Sequence, residues 1–310
     1  MSRRPRLAAL AAATAALIAL SGCSASGPDG DAEAPAASDA FPVTIEHAFG
    51  ETVIESEPQR VLTLGWGSGD AVLALGVVPV GMEAQNYGGD ENGVLPWAAD
   101  ALADLGGDAP LIFPATADAP AYEQIAEAAP DLILATYSGI TEEQYDLLSE
   151  IAPVVAYPDL PWTTPWRDVI SITGTALGKS TAADEVLASI DEIVAEKAAE
   201  HPEFAGKTFA ATYDVGGTFY VYKPADPRVE FLIDLGLESA PAVDALSNGD
   251  SSFYYTLSYE KLDALDSDLL IGYFENQEAG EAFAAQPYAQ SIPAVAAGGL
   301  VSVEGAALVS

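Results

Sequence analysis

Cysteine is almost absent from this chain: Cys23 is the only one among 310 residues. No intramolecular disulfide can form, so the fold must be held by its apolar core. Histidine is nearly as scarce, limited to His47 and His201. Bare zinc or manganese would need several imidazoles converging with carboxylates, and these two fall in a hairpin turn and at a helix end. Basic residues are few, 11 Lys and Arg against 47 Asp and Glu, for a formal charge of −36. Phosphate backbones require a basic footprint, so a nucleic-acid partner is excluded. The acidity itself reads as solubility. Against that background, the position of each Arg or Lys becomes informative. No Ser or Cys is paired with a base in a recognisable nucleophile motif, and no two carboxylates stand out from the 47 as a glycosidase pair. No segment is long and apolar enough to span a bilayer.

What is present begins at the N-terminus. Arg3, Arg4 and Arg6 precede an apolar stretch from Leu7 to Leu20, the charged and hydrophobic regions of an export signal. Ser2-Arg3-Arg4 hints at a twin-arginine signal, without the rest of that motif. Leu20-Ser21-Gly22-Cys23 resembles a bacterial lipobox, which implies cleavage after residue 22 and a lipid on Cys23. Losing the three arginines takes the charge to about −39. Residues 23–40 are small, polar and acidic, and are expected to form a flexible tether. The body then starts at Phe41, outside the cytoplasm, and meets the membrane through the lipid only. About 270 residues are ample for a core.

Val43–Glu46 and Thr52–Glu55 alternate around Gly50 and predict a hairpin. Val61–Leu64 is a buried strand that runs through Gly65-Trp66-Gly67-Ser68-Gly69-Asp70 into a helix to Leu75. The three glycines do not have dinucleotide-fingerprint spacing, and Asp70 would repel a phosphate; the segment is a tight turn with a helix cap. Strands are expected at Val78–Gly81, Leu132–Ala135 and Val154–Ala156, with a helix opened by the capping-box spacing Thr141-Glu142-Glu143-Gln144. From Pro165 to Ala199 helical spacing continues past Gly178, which predicts a long, kinked helix. Strands resume at Thr208–Tyr213, Phe219–Val221, Leu269–Tyr273 and Leu300–Val303, and a closing helix is expected where the chain ends at Ser310. The pattern predicts an α/β protein: two Rossmann-like lobes with mainly parallel sheets joined by one long interlobe helix, with boundaries at 41–163, 164–202 and 203–310. An internal repeat agrees. Tyr122-Glu123-Gln124-Ile125 leads to Asp131-Leu132-Ile133-Leu134, and Tyr259-Glu260-Lys261-Leu262 to Asp268-Leu269-Leu270-Ile271, at a constant offset.

Several segments then carry a family resemblance: His47-Ala48-Phe49-Gly50, Pro58-Gln59-Arg60-Val61, Asp70 with Ala74-Leu75-Gly76-Val77, Pro130-Asp131-Leu132-Ile133-Leu134, Leu148-Ser149-Glu150-Ile151-Ala152-Pro153, Ala176-Leu177-Gly178-Lys179 and Leu257-Ser258-Tyr259-Glu260. In order and spacing the chain from Phe41 onward resembles the substrate-binding lipoproteins of bacterial ABC importers for iron–siderophores, whose relatives bind haem or cobalamin. The resemblance implies the class III periplasmic-binding-protein fold, a shallow interlobe cleft with modest closure, no enzymatic activity, no cofactor, and a monomer that carries a ferric siderophore to a permease dimer. It also implies one exposed glutamate per lobe for permease arginines, here Glu123 and Glu260, although acids in a first helical turn are equally accounted for by the helix dipole.

A bulky chelate needs aromatic faces and a few cations, and strand ends are where open α/β sheets hold ligands. The candidates are Trp66, Tyr87, Trp97 and Tyr137 in the first lobe, Trp162, Trp166 and Arg167 at the junction, and Tyr213, Tyr222, Lys223, Arg228, Tyr255 and Tyr273 in the second. Tyr220, Phe253 and Tyr254 are also near strand ends, but Tyr220 and Phe253 are expected in the core. Arg228, after Asp226-Pro227, is the leading cation, with a surface salt bridge to Glu230 or Asp226 as the competing account. Haem, ligated by a Tyr, and cobalamin are the alternative ligands. A secreted hydrolase using paired carboxylates is the alternative from another class, and an adhesion lipoprotein the third.

Overall fold

A computed structural model describes residues 41–115 and 119–304. Cys23, the signal, the tether and the end of the chain lie outside the described residues. The body opens with a hairpin, β1 (Val43–His47) and β2 (Gly50–Ile54), in register from Val43 opposite Ile54 to His47 opposite Gly50. The next five strands are β3 (Val61–Gly65), β4 (Gly81–Glu83), β5 (Leu111–Phe113), β6 (Leu132–Tyr137) and β7 (Val154–Ala156). They form a sheet of order β5-β4-β3-β6-β7, every pair parallel. Helices α1 (Ser68–Ala74), α2 (Pro96–Leu105), α3 (Tyr122–Glu127) and α4 (Glu142–Ser149) make the crossovers. Covered on both faces, β3 and β6 are buried throughout, which is why they read as continuous apolar runs. At α4, the Thr141 hydroxyl accepts from Gln144 N while Gln144 Oε1 accepts from Thr141 N, the reciprocal box the spacing predicts.

Two boundaries differ from the sequence reading. The strand expected at Val78–Gly81 lies later, at β4, because Pro79 has no N–H to donate and the ladder begins where Gly81 meets Leu62. The segment expected as one kinked helix is two: α5 (Trp166–Ala176) and the 21-residue α6 (Ser180–Glu200). Gly178 ends α5 at φ 68°, and Lys179 N returns to the Gly174 carbonyl at 2.7 Å, a left-handed helix termination. A Cβ on Gly174 would lie 2.4 Å from that of Ala183, so the two helices approach closely there. α6, about 30 Å long, is the rod that leads from one sheet to the other.

The second lobe contains β8 (Thr208–Val215), β9 (Thr218–Tyr222), α7 (Pro227–Asp234), β10 (Glu238–Ser239), α8 (Pro241–Leu246), β11 (Tyr254–Leu257), β12 (Leu269–Phe274), α9 (Gln277–Ala284), α10 (Pro293–Ala296) and β13 (Leu300–Glu304). Its sheet runs β11-β9-β8-β12-β13, with β10 also on β8. β8, β10, β12 and β13 are parallel, while β9 and β11 pair antiparallel.

The repeat has a structural counterpart. Asp131 accepts from the N–H groups of Gln59 and Arg60 at 2.8 and 2.9 Å, tying the start of β6 to the start of β3. Asp268 accepts from Thr208 N at 2.8 Å and ties β12 to β8 in the same way. Between the lobes, an apolar cluster joins Leu73, Met82 and Leu95 to Phe209, Ala211 and Ile271. Arg167 on α5 adds an ionic tie, bonding Asp191 on α6 and Asp234 on α7 at 2.6 Å each.

Candidate functional site

The cleft is built from backbone constraints first. Gly65 sits at φ 79°, and a Cβ there would lie 2.3 Å from the Tyr137 carbonyl oxygen. Only glycine fits both demands, and the chain then turns so that Trp66 N donates to that same oxygen at 3.0 Å. Trp162 has φ 60°, held by its N–H on the Ser138 carbonyl. Its indole fills the space over Gly139, where a Cβ would come within 2.1 Å of Nε1. These constraints bring three aromatics of the first lobe together: Trp162 lies 5.3 Å from Trp66 and 5.7 Å, edge-on, from Tyr137. Tyr87 stands edge-on to Trp66 and, across the cleft, to Tyr213.

The facing wall comes from β9, β11 and α7. Tyr220 and Tyr254 pack 5.3 Å apart, with Phe253 against Tyr254. Asp226 caps α7 by accepting from Arg228 N, and its carboxylate also takes Nε and Nη2 of Arg228 at 2.8 and 2.6 Å. Asp226 is fully buried and Arg228 is 8% exposed. The guanidinium lies 4.0 Å from the Tyr222 ring centroid, 5.6 Å from that of Tyr273 and 6.0 Å from that of Trp66, within cation–π range. Between the walls is a cavity of about 320 Å³ lined by Trp66, Tyr87, Tyr137, Trp162, Tyr213, Val215, Tyr220, Tyr222, Arg228, Phe253 and Tyr254. Two further recesses adjoin it, one of about 450 Å³ that shares Trp66 and Trp162 with it and one of about 310 Å³ that shares Tyr213 and Val215.

Burial sets the protonation states. It pushes the Tyr222 phenol up to about 12, with Arg228 opposing only in part. Tyr137, Tyr213 and Tyr273 are raised further, again chiefly by burial. These hydroxyls therefore remain neutral donors across the physiological range. Burial pulls the Arg228 guanidinium down, but the charge and hydrogen bonds of Asp226 outweigh it, and the group stays cationic.

Seven of the residues singled out from the sequence line this cavity: Trp66, Tyr87, Tyr137, Trp162, Tyr213, Tyr222 and Arg228. The structure places six others elsewhere. Trp97 lies on α2 and donates to Asp70 at 3.0 Å. Trp166 packs in the first-lobe core and carries Arg167 over its ring at 4.1 Å. Arg167 is consumed by Asp191, Glu230 and Asp234. Lys223 donates to the Ser251 carbonyl. Tyr273 is buried behind Arg228, in a second layer. Tyr255 is wholly inside the second-lobe core.

Tyr220, Phe253 and Tyr254 take the place expected for Tyr255. Side chains alternate across β9 and β11, so Tyr220 and Tyr254 face the cavity while Val221 and Tyr255 face the core. Strand parity relative to the core, invisible in an isolated run of aromatics, decides this. Asp226 lies buried beside Arg228, and the ion pair that the sequence reading allows at the surface forms in the interior instead; the sequence signal is the Asp-Pro-Arg order, an N-cap followed by proline at the first helical position. Glu123 is exposed in the first turn of α3. Glu260 is exposed at the start of a 3₁₀ turn, Tyr259–Ala264, where an α-helix was expected. The Ser258 side chain caps that turn.

Known proteins share this architecture. The profile of the periplasmic binding protein family matches residues 61–305. The ferrichrome complex of PiaA from Streptococcus pneumoniae TIGR4 is 37% identical, with a TM-score of 0.75 over 84% of this chain and 88% of that one. A periplasmic solute binding protein from Mycobacterium smegmatis is 30% identical, with a TM-score of 0.70 over 85% and 88% of the two chains. The Bacillus subtilis protein named "Probable siderophore-binding lipoprotein YfiY" is 27% identical over 82% of this chain and 75% of its own length. The chain belongs to the periplasmic binding protein family.

Proposed function

We propose that this protein is the extracytoplasmic binding component of an ABC importer and captures a ferric siderophore in the aromatic cleft. The observation that carries this reading is the cavity itself: aromatic faces from both lobes converge on one buried arginine, and no cluster of metal-ligating side chains occurs among the described residues. Such a site suits an organic chelate with its iron already wrapped, not a naked ion. The likeness to a ferrichrome-bound protein supports the same ligand type. The chemistry is binding alone, and members of this family are binding proteins. His47 and His201 have other roles: His47 Nε2 meets the Thr52 hydroxyl and His201 pairs with Glu203.

The signal and the lipobox-like run support anchoring through a lipid on Cys23 at the outer face of the membrane. No described helix is long and apolar enough to cross one. Glu123 and Glu260, exposed and equivalent in the repeat, are assigned to docking on a two-fold permease dimer by a monomeric carrier. Exposed ion pairs there would guide encounter and register more than add affinity.

Titration of intrinsic tryptophan fluorescence with ferric chelates, haem and cobalamin tests the ligand. Trp66 and Trp162 in the cavity wall should be quenched by a ferric siderophore. Quenching by haem or cobalamin alone refutes the iron assignment.

A further inference from the structure

The charge inventory of the cleft narrows the ligand. Resting on the siderophore reading above, we infer that the cleft is selective for ferric chelates with no net negative charge, the tris-hydroxamate class, and discriminates against anionic tris-catecholates and polycarboxylates.

Among the described residues, Arg228 is the one Lys or Arg in the cavity wall. It is not an uncommitted positive charge. Two of its nitrogens are bonded to the carboxylate of Asp226, which is fully buried beside it. The pair contributes a dipole and a flat cationic face, with no surplus of charge. No other Lys or Arg among the described residues lines the cavity or its recesses, and four are engaged elsewhere: Arg167 by three carboxylates, Arg60 by the carbonyls of Ala128 and Ala129, Lys197 by Glu200, and Lys223 by the Ser251 carbonyl. The recesses that continue the cavity add acids. Glu83 lines one, and Asp214 and Glu275 line the other. A chelate reaching from the cavity into either recess meets carboxylates, not ammonium or guanidinium groups.

Three singly charged hydroxamates cancel Fe(III), whereas three doubly charged catecholates leave a trianion. A trianion placed here would lose its hydration and find no net counter-charge, and the acids of the recesses would repel it. A neutral chelate has no such cost. Its carbonyl and N–O oxygens accept from the neutral phenols and indoles on the wall, and its backbone lies against aromatic faces. A pendant ammonium would meet the acidic recesses favourably.

The test measures dissociation constants by tryptophan quenching for three chelates at one ionic strength: ferrichrome, which is neutral; ferrioxamine B, which carries a pendant ammonium; and a ferric tris-catecholate trianion. The two hydroxamates should bind at least about 100-fold more tightly than the trianion. The affinity for ferrichrome should change less than about twofold between low and high salt, because it carries no net charge, whereas that for ferrioxamine B should fall as salt screens its ammonium from the acidic recesses. Asp226→Asn keeps the helix cap but releases the arginine's charge, and should narrow the gap about tenfold in favour of the trianion. Far-UV circular dichroism establishes that the variant is folded; if it is not, the wild-type affinities and salt dependence decide alone. A trianion that binds as tightly as ferrichrome overturns the charge selectivity and leaves the siderophore reading intact. Haem or cobalamin binding without any ferric chelate overturns both.

Discussion

Removing the partner of a buried charge is the sharpest perturbation available in this protein. Asp226→Ala leaves the Arg228 guanidinium, 8% exposed, with its carboxylate gone. Breaking a buried pair from one side costs about 3–5 kcal/mol, because the remaining charge stays dehydrated and unmatched. Losing the N-cap of α7 adds about 1 kcal/mol. Together these take a large share of the roughly 5–15 kcal/mol that stabilises a typical domain. At about 2–4 °C per kcal/mol for a domain of this size, the midpoint should drop by about 8–24 °C. Thermal and urea unfolding followed by circular dichroism measure it. Asp226→Asn keeps the cap and an acceptor, and should recover about 1 kcal/mol. The double variant Asp226→Asn with Arg228→Met should be more stable than Asp226→Asn alone, since an apolar replacement of a buried pair is often near neutral. An Asp226→Ala protein within about 1 kcal/mol of wild type, or a double variant no better than its parent, would refute the assignment of a dehydrated pair.

Other outcomes follow from the same geometry. Gly139→Ala should displace the Trp162 indole, whose Nε1 lies 2.1 Å from the added Cβ, and weaken chelate binding about tenfold, read by titration. Trp66→Ala should weaken binding by about 1–2 kcal/mol through lost ring contact, with little change in the unfolding midpoint. Burial raises Asp70 to about 6, opposed by the Trp97 hydrogen bond. The folded state therefore holds a proton that the unfolded chain has released, and stability falls as pH rises from about 4 to 6. Asp70→Asn, which keeps an acceptor for Trp97, should flatten that slope in unfolding measured across the window. Reversing both docking candidates, Glu123→Arg with Glu260→Arg, should abolish stimulation of permease ATPase activity while leaving the chelate dissociation constant unchanged.

Features that depend on local order and on composition can be read from the bare chain. Strand–helix alternation, the Thr141 capping box and the two Tyr-Glu…Asp segments were legible because each is a nearest-neighbour property, fixed by hydrogen bonds a few residues apart or by periodicity. The scarcity of cations was legible too, and it makes Arg228 conspicuous in the bare chain of residues. Tertiary structure decided which aromatics reach the cleft. Tyr254 and Tyr255 are adjacent and chemically identical, yet one faces the cavity and the other the core, because β11 pairs with β9 in a register that only the assembled sheet sets. Arg167 and Arg228 are equally cationic, but α5 carries the first against three acids while α7 folds the second onto Asp226 in the cleft wall. Composition counts charges; long-range packing determines which of them a ligand meets, because the neutralising partner of Arg167 lies up to 67 residues away.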